Sequence, residues 1–129
     1  MDETDYLVPL ADGPARRVVG GRRQNGQCEA MSYLSSLTER ENDRLAALFQ
    51  GMANSGVQSE NKFKKLEDSG GIWEFRSGSH RLLCFADGCS WVLTHGFVKR
   101  GQKTPKREIT RAQTIRAEYL ELKRASGGL

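Results

Sequence analysis

Gly71-Ile72-Trp73-Glu74-Phe75-Arg76, His80-Arg81-Leu82-Leu83 and Val92-Leu93-Thr94-His95-Gly96-Phe97-Val98-Lys99-Arg100-Gly101-Gln102-Lys103-Thr104-Pro105 carry the pattern that decides the fold. Asp87-Gly88 is a two-residue hairpin signal. It pairs Ala86 with Cys89, Cys84 with Trp91, Leu82 with Leu93 and Arg81 with Thr94. With Gly78-Ser79 at the tip of the preceding hairpin, Arg76 lies opposite Arg81, Phe75 opposite Leu82 and Trp73 opposite Cys84. Side chains alternate across a strand, so this register sorts two faces. Trp73, Phe75, Leu82, Cys84, Trp91, Leu93 and Phe97 form a core face. Glu74, Arg76, Arg81, Leu83, Val92 and Thr94 form a mixed face, which the pattern leaves open to solvent.

Working outward, residues 1–14 read as an acidic tail with Pro9 and Pro14 and no sustained periodicity. Val18-Val19 between paired arginines is a candidate first strand, weakened by Gly20-Gly21, and Asn25-Gly26 marks a turn. Ala30, Tyr33, Leu34 and Leu37 share one helical face, as do Leu45, Leu48, Phe49 and Met52. Between them Thr38 and Glu41 fit a capping box, and Gly51 and Gly56 end the second helix. This is a helical hairpin whose apolar stripes belong in the core. A last helix starts near Thr104-Pro105, with Thr suited to the N-cap and Pro to the first turn. Its stripe is Ile109, Ala112, Ile115, Tyr119 and Leu122, and residues 125–129 should fray. One domain over 15–124 follows, of α+β class: a twisted antiparallel sheet of about four strands, an N-terminal helical hairpin on it, and a C-terminal helix.

The net charge of +4 hides an asymmetry. Residues 1–60 hold six Lys/Arg against nine Asp/Glu, and residues 61–129 hold fourteen against seven. The second half therefore faces a polyanion or is a solvated basic surface. The acidic N-terminus is no secretory signal, and no apolar run reaches the roughly 18–20 residues of a membrane span. Cys28, Cys84 and Cys89 are odd in number and form no CxxC pair, which suits free thiols in the cytoplasm.

Like charges directly opposite on a sheet destabilise by up to about 1 kcal/mol. An anion held between Arg76 and Arg81 removes that cost, and the guanidinium fork suits phosphate. The alternative is that Glu74 neutralises one arginine and the other is solvated. Lys99, Arg100 and Lys103 lie beside a helix N-terminus, itself favourable for anions, and Lys62, Lys64 and Lys65 precede the sheet. His80 and His95 face each other on this register, as a packed pair, a metal site or an acid–base pair. Two histidines without nearby Cys or Asp are a weak metal signal, so no metal site and no cofactor is assigned.

At these residues the chain resembles the RelE/ParE-like toxins of type II toxin–antitoxin systems, closest to their HigB-type, phage-derived branch. The resemblance rests on Lys64-Lys65-Leu66, Gly71 to Arg76, His80-Arg81, Leu93 to Pro105, and Glu108-Ile109-Thr110-Arg111-Ala112. It covers about residues 15–124. It implies a RelE-like fold and a metal-independent mRNA endoribonuclease acting in the ribosomal A site. It also implies a helix-turn-helix antitoxin as partner, with operator DNA reached only through that antitoxin. Arg81 matches the family's Tyr-Arg arginine and would stabilise the phosphorane, assisted by Arg76. Lys99, Arg100 and Lys103 would bind the scissile region, one lysine moving a proton, with His95 in reserve. Lys62, Lys64, Lys65, Arg100 and Thr104 would bind RNA. The departures are His80 in place of the family's tyrosine, Val98 between Phe97 and Lys99, and the extra tail at 1–14. A ParE-like gyrase inhibitor and a non-catalytic prophage protein that binds antitoxin and DNA are the competing functions.

Overall fold

The computed structural model describes residues 2–127. A short 3-10 turn, Glu3–Asp5, precedes β1 (Leu7–Asp12) and β2 (Arg17–Gly21). Then come α1 (Glu29–Ser35), α2 (Glu39–Ser55), β3 (Phe63–Lys65), β4 (Trp73–Ser77), β5 (His80–Asp87), β6 (Ser90–Val98) and α3 (Lys106–Ala125). The strands form one sheet in the order β1-β2-β6-β5-β4-β3. β2 runs parallel to β6 and every other pair is antiparallel.

The sheet is thus larger than the four strands expected, and mixed. The extra strands are its two edges. β3 has only three residues, too few to show alternation. β1 lies in the stretch read as a tail. Leu7 is buried there, and Pro9 sits next to a register shift on the outer strand, where its missing N–H removes no ladder bond. The parallel pair is possible because two helices and three strands separate β2 from β6. Gly20 and Gly21 in β2 allow close packing, because a Cβ at Gly20 would meet Cys28 Sγ at 2.6 Å and one at Gly21 would meet Val92 Cγ1 at 2.9 Å.

The predicted β4–β5 register is the observed one: Trp73 pairs with Cys84, Phe75 with Leu82 and Arg76 with Arg81. The β5–β6 hairpin turns one residue later than expected, with Gly88 at φ 60° and Asp87 opposite Ser90. Cys84 therefore meets Leu93 rather than Trp91. A bulge at Thr94 then inverts the face of everything that follows, because Leu93 pairs with Cys84 but His95 with Leu83. Phe97 moves off the core face as a result. Arg81 pairs with it, and not with Thr94.

α1 and α2 cover the first face. Ala30, Leu34, Leu45, Phe49 and Met52 pack on Val18, Phe75, Leu82, Cys84 and Leu93. The capping box is present: Thr38 Oγ1 accepts from Glu41 N, and Thr38 N donates to Glu41 Oε1. α2 runs through Gly51 and ends at Gly56 in the left-handed region, φ 78°. Both helices follow two strands, and each lies on the sheet rather than along the other: α1 on β6 and β2, α2 on β1 and β2. The N-terminal hairpin expected from the sequence is absent in that form.

The second face is not open. α3 lies across it, with Ile115 buried and with Ala112 and Tyr119 in a second core containing Leu7, Val19, Ile72, Leu83, Phe85 and Val92. Tyr119 Oη and Lys123 Nζ both donate to Asp87 Oδ2, at 2.9 and 2.8 Å. Arg23 bridges Glu29 and Glu118, tying the loop after β2 to α1 and α3. Arg76 and Arg81 lie at the polar end of this face, where the first turns of α3 and the loop before it border the sheet.

Candidate functional site

The sheet places Glu74 and Arg76 on β4 and Arg81 on β5 on one face, by strand alternation and the register just given. Glu74 is fully buried, and a buried carboxylate needs partners. Arg76 Nε donates to Glu74 Oε1 at 2.9 Å, and Thr104 Oγ1 donates to Oε2 at 2.5 Å. Arg81 Nε stands 3.6 Å from Oε1. Arg81 Nη1 is spent on the carbonyls of Gly78 and His80, at 2.7 and 3.0 Å. The opposed arginines are therefore reconciled by an internal carboxylate. Neither is simply solvated: their side chains are 21% and 14% exposed.

In front of this cluster lies a groove of about 600 Å³ between β3, the loop before α3 and the first turns of α3. Its cations are Lys64, Lys65, Arg76, Lys99, Lys103 and Lys106, against Glu67 and Asp68. Arg81 sits behind the groove, at its back wall with Glu74. Lys62 and Arg100 are exposed but not among the groove residues. Burial holds the Lys99 ammonium below the usual lysine range, opposed by Glu74 and reinforced by Arg76, Arg81 and Lys64. Burial likewise lowers Arg81, with Glu74 opposing and Arg76 adding to the shift. A larger cavity of about 970 Å³ opens beside Phe63, Trp73 and Trp91. Its two lysines face three acids, Glu60, Glu67 and Asp68, so its charge does not match the polyanion pattern.

Thr104 was expected to cap α3. Instead Pro105 takes the cap position without a side-chain bond, because the Thr104 hydroxyl goes to Glu74. His80 and His95 do not pair, since the Thr94 bulge places them on opposite faces. His95 is buried against α3, with Nε2 3.0 Å from Glu108 Oε1 and Nδ1 3.1 Å from Thr94 Oγ1. Burial lowers its pKa, with the Glu108 bond opposing. With the ring neutral, Nε2–H donates to Glu108, while the Thr94 hydroxyl beside Nδ1 donates to the Leu83 carbonyl at 3.2 Å. It is outside the groove and pins α3 to β6. Among the described residues no cluster of three or more His, Cys, Asp or Glu side chains could hold a metal ion.

On the opposite face His80 Nδ1 meets Tyr33 Oη at 2.6 Å, and Nε2 meets Glu41 Oε2 at 2.7 Å. Residues 33, 41 and 80 are too far apart in sequence for any spacing rule to have joined them. Tyr33 lies over Gly96, where a Cβ would come within 2.3 Å of its ring. That contact explains the glycine after His95.

Fold and groove together define a small α+β protein with a strongly cationic cleft at the edge of its sheet. The chain belongs to the family described as phage derived protein Gp49-like (DUF891), whose model matches residues 32–117. The match runs from α1 into α3 and leaves β1 and β2 outside it. The family is part of the RelE/HigB-like toxin group. None of the curated proteins compared with the chain matches it. Among the described residues no helix is long and apolar enough to cross a membrane.

Proposed function

We propose that this protein is the toxin of a type II toxin–antitoxin system, of HigB type, and that it cleaves mRNA in the ribosomal A site. The observation that carries the reading is the cluster at the groove's back wall: three cations, Arg76, Arg81 and Lys99, around one carboxylate, Glu74. Such a cluster retains an appetite for an anion. In the reaction the ribose 2′-oxygen attacks the adjacent phosphorus as its proton is removed. The P–O5′ bond breaks and the 5′-oxygen is protonated, leaving a 2′,3′-cyclic phosphate and a 5′-hydroxyl. Negative charge grows on the phosphorane, and preorganised cations stabilise it more than the ground state.

Arg76 is the arginine placed to meet that charge, with Arg81 behind it supplying field and fixing the hairpin end. Lys99 is the lysine suited to take the 2′-proton, because a depressed ammonium yields neutral amine nearer neutral pH. Lys64, Lys65 and Lys103 hold flanking phosphates, an interaction that is salt-sensitive and blind to sequence. The inhibitor is a helix-turn-helix antitoxin, through which the toxin reaches operator DNA. The test is primer extension on cellular mRNA after brief induction. Cuts within codons that vanish in Arg76→Ala and Lys99→Met support the reading. Growth arrest without cuts replaces it with a gyrase-directed or purely binding role.

A further inference from the structure

Glu74 has no counterpart in the reaction just outlined, yet it is the most heavily engaged side chain of the cluster. It is fully buried and meets three elements at once. Arg76 lies on its own strand, Arg81 on the next, and Thr104 on the loop that carries Lys99 and Lys103. That loop, residues 99–105, has no helix or strand of its own. Its backbone is tied at the start, where Lys99 N donates to Ser79 O in the β4–β5 turn at 2.8 Å. A flexible basic loop would place its cations only loosely. A tether at each end fixes both Lys99 and Thr104 against the sheet, and Glu74 supplies the second.

Resting on the ribonuclease reading, we propose that Glu74 is a positioning residue of the reaction, latching the Lys99–Thr104 loop onto the sheet and orienting Arg76 toward the groove. The Arg76 Nε–H donates to Glu74 Oε1, and the same side chain lines the groove. The same carboxylate is the negative charge among Arg76, Arg81, Lys64 and Lys99. It holds the lysine closer to its ordinary range than those cations would leave it. Lys103 and Lys106 line the same groove from the α3 side. The loop geometry and the proton affinity of Lys99 therefore depend on one buried group.

The two roles separate by substitution. Glu74→Gln keeps the shape and the acceptor but removes the charge. Thr104→Val keeps the charge and removes the latch, and Thr104→Ser restores the latch. The experiment combines single-turnover cleavage of mRNA on programmed ribosomes, as a function of pH, with amide hydrogen exchange over residues 99–105. Thr104→Val should speed loop exchange about tenfold and lower the cleavage rate about 10- to 100-fold, with substrate affinity little changed and the pH profile in place. Thr104→Ser should recover both. Glu74→Gln should shift the acidic limb of the profile to lower pH, since Lys99 loses the charge that favours its protonation. A Thr104→Val loop that exchanges like wild type overturns the latch. A Glu74→Gln profile that does not move overturns the electrostatic role. If wild type fails to cut programmed ribosomes, the ribonuclease reading falls and the catalytic half of the proposal with it. The exchange rates then decide the latch alone.

Discussion

Gly96→Ala is a one-methyl change with a calculable consequence. Gly96 has ordinary strand geometry, so the substitution carries no backbone strain. The added Cβ would stand 2.3 Å from Tyr33 Cδ2 and 2.6 Å from Cγ, where ordinary contact begins at 3.4 Å. The ring must retreat by about 1 Å, the difference between those distances. These atoms are the root of the ring, so α1 has to move with it. Overpacking of this kind costs about 1–3 kcal/mol. The retreat also breaks the 2.6 Å bond from the Tyr33 hydroxyl to His80, a further ~0.5–1.5 kcal/mol. The expected loss is about 2–4 kcal/mol, which for a domain of this size lowers Tm by roughly 8–16 °C. The assay is equilibrium unfolding in urea of wild type, Gly96→Ala, Tyr33→Ala and the double variant. In the Tyr33→Ala background the added methyl should cost less than about 0.5 kcal/mol, since its collision partner is gone. A Gly96→Ala protein as stable as wild type would refute the reasoning. So would the same cost in both backgrounds.

Three further outcomes follow from the same structure. Under native conditions a thiol reagent should titrate Cys89 alone, because Cys28 and Cys84 are buried and burial raises both their pKa values; all three should react in denaturant. Glu41 is held at about 2 by the Thr38 backbone N–H, then His80 and the Thr38 hydroxyl, against an ordinary 4.5. Its contribution is therefore present above about pH 4.5 and is lost as pH falls toward 2, so the stability gap between wild type and Glu41→Gln should close across that window in acid-titrated denaturation curves. Arg81→Ala and Arg76→Ala should each lower stability by about 1–3 kcal/mol in thermal melts, since each leaves the buried Glu74 carboxylate short of a cation, and Arg76→Ala should in addition lower cleavage roughly 10²- to 10³-fold.

The central hairpin could be read from the chain because its signals are local and mutually consistent. Alternating residues in β4 and β5 and the glycine at 78 leave one register that buries Phe75 and Leu82. The cap at Thr38 was readable for the same reason. What escaped were features decided at a distance. Nothing at Thr94 announces a bulge, yet it turns His95 and Phe97 to the other face and separates the two histidines. Leu83 and Val92 on the second face were the clue that α3 covers it, outweighed in the reading by the charged residues at the same face's far end. β1 is held by its pairing with β2, by Leu7 in the second core and by Val8 and Leu10 against the first, an alternation too short and too interrupted by Pro9 to stand out. At the site, the cations were visible as composition, but the role of Thr104 was not. Its hydroxyl had a cap to make locally and a buried carboxylate to meet, and the carboxylate won because an unpaired buried charge costs more than an uncapped helix.

The measurement that bears most directly on the account is cleavage by the purified protein of mRNA on ribosomes stalled with an open A site, with the product ends characterised. The account predicts a cut within the A-site codon that leaves a 2′,3′-cyclic phosphate and a 5′-hydroxyl, abolished by Arg76→Ala and Lys99→Met in proteins that remain folded. Intact mRNA, or cutting that survives both substitutions, would contradict it.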